Sequence, residues 1–107
     1  MDIVWPLIGV AAMSAVNAAE VQGKLISLGM HRQHAWNSIV ESVHEILPFT
    51  HEQAERAGSI INVTRPFGLS LGDRACLALA QMLSCPVFTA DWAWSSLDLG
   101  IEIRVIR

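Results

Sequence analysis

The stretch Ser70–Ser84, SLGDRACLALAQMLS, constrains the fold more than any other. Its spacing predicts a helix that is apolar on nearly every side, and such a helix must be buried rather than laid on a surface. The segments around it alternate in type. AAMSAVN (Ala11–Asn17) is a run of small and apolar residues that suits a fully buried strand. NAAEVQGKLISLG follows with Val21, Leu25 and Leu28 at helical spacing and Gly29 as its stop. RQHAWNSIVESV predicts a second helix with Ala35, Trp36, Ile39, Val40 and Val43 on one face. HEILPFT suits a strand, HEQAERAGSIINVTR a more polar helix, and RPFG a turn. After the buried helix, PVFTA suits a short strand, DWAWSSLD about two helical turns, and IEIRVIR alternates with the strand period. Strands alternating with helices predict an α/β layer fold with a mostly parallel sheet.

At 107 residues the chain suits one domain, 1–107, with a core large enough to fold without staples. The mean hydropathy of +0.41 points to much interior, or to an apolar surface covered by a partner. Net charge is −3 and there is no Lys/Arg run, which argues against nucleic-acid binding by broad phosphate neutralisation. An enzyme reaching phosphodiesters through a metal would not need that charge. Two cysteines, Cys76 and Cys85, make no disulfide scaffold and suit reduced thiols in a cytoplasmic protein. Ile3–Ala19 carries no charge, but no Lys or Arg precedes it and Pro6 interrupts it. It is also shorter than the ~20 residues of a spanning helix, so it reads as an apolar lead into a buried strand and not as a membrane segment.

Carboxylates in so apolar a chain need partners. Glu20 lies three residues after Asn17, Asp73 three after Ser70, and Asp91 directly after the strand Pro86–Ala90. Helix capping accounts for each singly: Asn17-x-x-Glu20 and Ser70-x-x-Asp73 fit capping boxes, and Asp91 fits an N-cap. Together they fit something else. In open α/β sheets the C-terminal strand ends form the ligand crevice. Three acids converging there would repel and hold raised pKa values unless a cation intervened. Hard oxygen donors suit Mg²⁺ or Mn²⁺. Spacing alone leaves capping and metal binding both open.

Other residues have competing uses. Arg74 suits a structural ion pair at a helix start or a contact with a ligand phosphate. Asp98 suits a turn cap before Gly100 or an outer acid of the site. His31, His34, His44 and His51 lack partners at ligand spacing and read as surface residues. Trp92 and Trp94 read as one packed and one partly exposed aromatic, with base stacking open to the exposed one. Trp36 suits either core or an interface.

SAVNAAEV together with LSLGDRACLALAQ and PVFTADWAWSSLDLGIEIRVIR resembles PIN-domain ribonucleases, most closely the VapC toxins of type II toxin–antitoxin pairs, over Ala11–Arg107. The resemblance implies a three-layer α/β fold and a Mg²⁺- or Mn²⁺-dependent endoribonuclease in the cytoplasm. It also implies neutralisation by an antitoxin. Glu20, Asp73 and Asp91 match the family's metal-binding acids, Thr89 the threonine before the last of them, Asn17 the polar residue a turn before the glutamate, and Asp98 an acid common in the subgroup. One departure is large. Family members begin with a central strand ending in an aspartate, and only sixteen residues precede Asn17 here. MDIVWPLIGV aligns better with the end of the helix after that strand, and Asp2 does not match the missing ligand. The vacant sheet position would need cover from Met1–Leu7, another chain or a rearrangement, and exposed apolar surface favours a homodimer. Weakened or lost activity is therefore an expectation too, with a non-catalytic PIN-like remnant, binding an antitoxin or an intact partner, as the alternative function.

Overall fold

The computed structural model describes residues 7–8 and 12–106; residues 1–6, 9–11 and 107, with Asp2 and most of the apolar lead, lie outside it. Among the described residues five strands and five helices follow one another: β1 (Leu7–Ile8), β2 (Ala12–Ser14), α1 (Ala15–Ser27), α2 (Arg32–Ser42), β3 (Glu45–Leu47), α3 (His51–Ser59), α4 (Ile61–Thr64), α5 (Leu71–Leu83), β4 (Val87–Thr89) and β5 (Ile103–Val105). Two 3-10 turns, Arg65–Phe67 and Trp92–Ser96, complete the chain. The expected α/β alternation is therefore present. The third expected helix is broken at Ile60, and the one after Asp91 is 3-10 rather than α.

The sheet order is β3-β2-β1-β4-β5. β2 pairs parallel with β3, and β4 parallel with β5. β1 runs antiparallel to both β2 and β4, so those two point the same way. The central position is thus filled from the lead itself. Leu7–Ile8 is a strand there, not the helix end and loop that alignment suggested, and its direction opposes the four others.

Side-chain alternation puts a core on each face. Ala12 and Leu47 pack with Cys76, Leu77, Leu79, Ala80, Val87 and Trp94. Their strand neighbours Met13 and Ile46 point the other way and pack with Ala18, Val21 and Ile39. One face is accordingly covered by α5 and the other by α1 and α2, a three-layer arrangement. α5 has Ala75–Ala80 fully enclosed, as its composition requires. α2 buries only Ala35 and Ile39; Trp36 and Val40, expected on the same face, are 38% and 50% exposed.

Candidate functional site

Chain direction gathers the acidic residues. α1 leaves the C-terminal end of β2, and Asp91 follows the C-terminal end of β4. α5 enters β4 through a three-residue connection, so it runs back across the sheet and its N-terminus lies at that same edge. Asn17, Glu20, Asp73 and Asp91 all stand there.

Ser14 caps α1, its Oγ accepting from Val16 N–H at 3.2 Å. The strand ends three residues earlier than expected, so Asn17 and Glu20 stand inside the helix and form no capping box. Asn17 is instead buried, and its Nδ2 donates to the Gly72 carbonyl at 3.0 Å, tying α1 to α5. Its Oδ1 is buried with no partner among the described residues. One turn on, the Glu20 carboxylate lies against Gly72 so closely that a Cβ there would overlap it. Partial burial and then the neighbouring Asp73 push the Glu20 carboxyl above its usual range. Gly72 is the residue that sequence reasoning missed. A glycine in a helix costs about 0.5–1 kcal/mol relative to alanine, and that cost was the available signal of a close approach.

Asp73 completes the expected capping box: its Oδ2 accepts from Ser70 N–H at 2.9 Å, and Ser70 Oγ accepts from Asp73 N–H at 3.2 Å. Asp91 is the expected N-cap, its Oδ1 accepting from Ala93 N–H at 2.9 Å. Buried Thr89 fixes the turn into it, accepting from Asp91 N–H at 3.1 Å. Each aspartate thus commits one oxygen to a backbone N–H and keeps the other out of any hydrogen bond among the described residues. The structure brings Glu20 beside Asp73; no group of three or more His, Cys, Asp or Glu is close enough to hold a metal among the described residues. The donor chemistry nonetheless fits a hard cation. Glu20 has its carboxyl raised beside Asp73, one oxygen of Asp73 is outside any hydrogen bond, and the buried Asn17 Oδ1 has no partner among the described residues.

Arg74 forms no ion pair among the described residues; its Nη1 donates to the Ala57 carbonyl at 3.0 Å and braces α5 against α3, while its Nε is buried with no partner among them. Asp98 is exposed on the loop before β5. Cys76 is buried, its thiol pushed up to about 12 by burial and then by Asp73, while Cys85 is half-buried; both are free. The four histidines are exposed, as expected.

A family model described as PIN domain matches residues 3–99. Among solved structures, the chain is similar to one from the crystal structure of a member of the VapBC family of toxin-antitoxin systems, VapBC-5, from Mycobacterium tuberculosis. The TM-score is 0.66 at 21% identity, covering 89% of this chain and 81% of that one. That likeness is one of fold. No curated protein matches in sequence.

Proposed function

The chain belongs to the PIN-domain family, and from that premise we propose that it is a divalent-metal-dependent endoribonuclease, the toxin of a type II toxin–antitoxin pair. The observation that supports this most is the Glu20 carboxylate held against Gly72 and beside Asp73 at the edge where Asp91 also stands. Glu20, Asp73 and Asp91 would hold Mg²⁺ or Mn²⁺, oxygen donors of the hardness those ions take. When bound, the ion supplies Lewis-acid polarisation of a phosphodiester and a bound water of lowered pKa.

The protein's own groups orient this site. Asn17 locks the start of α1 to α5 and so fixes the reach of Glu20 towards Asp73. The Ser70 and Ala93 N–H groups each hold one aspartate oxygen, so the other oxygen of each would be available to a cation. Thr89 sets the backbone of Asp91, and Arg74 keeps the α5 N-terminus in place through α3. Asp98 is an outer acid on the following loop. An antitoxin is the partner that this reading requires, and the half-exposed Trp36 and Val40 of α2 suit a protein contact or a homodimer. Among the described residues no helix is long and apolar enough to cross a membrane, and we place the protein in the cytoplasm.

A non-catalytic PIN-like remnant is the second reading, favoured by the lack of a three-member ligand group among the described residues. Cleavage of a small RNA with Mn²⁺, wild type against Asp73→Asn, separates the two. The amide oxygen of the substituted side chain still accepts from Ser70 N–H, so folding is kept while the charge is lost. The nuclease reading predicts cleavage that falls by at least roughly a hundredfold in the variant, given what one positioned charge contributes. Equal cleavage by both proteins, or by neither, contradicts it.

A further inference from the structure

The carboxylate edge is flanked by large apolar side chains that the fold leaves in water. Trp92 follows Asp91 directly and is 62% exposed, whereas Trp94, on the same 3-10 turn, is 2% exposed and packed in the core. Leu71, two residues before Asp73, is 52% exposed on the first turn of α5. The turn is held at its middle and its start: Trp94 is packed in the core, and the Asp91 cap ties the start through Ala93. The Trp92 backbone is therefore fixed next to a carboxylate, with its side chain presented outward. The one cation–aromatic contact among the described residues is elsewhere, Arg104 over Phe88.

We propose that Trp92 is a stacking platform for a base of single-stranded RNA next to the phosphate drawn to the Glu20–Asp73–Asp91 edge. The proposal rests on the nuclease reading above and names how its substrate is held. Charge favours stacking over the alternative. Seven Lys and Arg stand against ten Asp and Glu, so phosphate neutralisation supplies little affinity. An acidic edge repels the RNA backbone except through a bridging cation. Stacking is independent of that charge and tolerant of sequence, because every base has a π-face. Leu71 adds an apolar surface on the α5 side of the edge.

Binding of a fluorescein-labelled single-stranded RNA hexamer with 2′-O-methyl riboses and ordinary phosphates, in Mg²⁺ buffer, tests this by fluorescence anisotropy. Trp92→Ala is expected to weaken binding roughly 5- to 150-fold. Trp92→Phe, which keeps a ring, is expected to retain most of the affinity. The salt dependence should be shallow, with a slope near that of one or two phosphates at about −0.7 each. Exposure of Trp92 means that neither variant removes core packing, and circular dichroism checks this. Equal binding by wild type and Trp92→Ala overturns the proposal and leaves the ring to a protein partner. Absence of binding by both overturns it as well. RNA that binds through Trp92, but whose unmodified form is not cut with Mn²⁺, would sink the nuclease reading and leave the platform standing.

Discussion

Glu20 is held where its charge is disfavoured, first by partial burial and then by Asp73. Its carboxyl therefore binds a proton more readily in the folded chain than in the unfolded one, where the ordinary value is 4.5. Without metal, stability falls as pH rises from the unfolded value through the raised folded one, and the penalty is complete above it. Glu20→Gln removes the charge and keeps the shape. In EDTA its melting temperature should exceed that of wild type at pH 7, and the gap should close as pH falls through about 4.5. A constant gap across that range would show that charge is not the cause. The two acids near Gly72 were not equally legible. Ser70-x-x-Asp73 is a local pattern and forms as read. Asn17-x-x-Glu20 is the same kind of pattern and does not form, because Ser14 takes the cap and Asn17 finds the carbonyl of Gly72, 55 residues away. No local rule contains that partner.

Helix α5 is the element on which the site depends, and its two ends are closed differently. The N-terminal end has the reciprocal Ser70–Asp73 box. The C-terminal end closes on Ser84 with φ +53°, a left-handed conformation that a side chain disfavours by roughly 1–2 kcal/mol and glycine does not. Ser84→Gly should stabilise the protein by about 1 kcal/mol, less than the full strain because glycine also frees the unfolded chain. Urea denaturation measures it as a higher midpoint at unchanged slope. A lower midpoint would mean that the serine side chain contributes something beyond its backbone. Composition foretold the burial of α5, since a helix apolar on every side has only one place to go. It overestimated α2, where Trp36 and Val40 have the right spacing for a buried face, yet the neighbouring helix covers only Ala35 and Ile39. Periodicity locates a face without saying how wide a neighbour will cover it.

At the scale of the molecule, direction decides where chemistry can occur. Four strands point one way, so the segments leaving β2 and β4 emerge at one edge, and α5 returns to it. That alternation was readable from the sequence, and the resemblance to PIN domains implied a central position to fill. The filling strand was not: Leu7–Ile8 pairs with residues as distant as Val87 and Phe88, and runs against both neighbours. Strand period carries no sign of direction, and pairing over that distance leaves none in the local sequence. The acids follow the same logic. The fold draws Glu20 to Asp73 and leaves Asp91 at the turn after β4, so the account turns on whether all three act on one ion. Titration calorimetry with Mn²⁺, wild type against Asp91→Asn, measures this. Asparagine preserves the N-cap and removes the charge. The prediction is one ion per chain, bound at least roughly tenfold more weakly by the variant. No binding by the wild type, or equal affinity in the two proteins, would contradict a shared site.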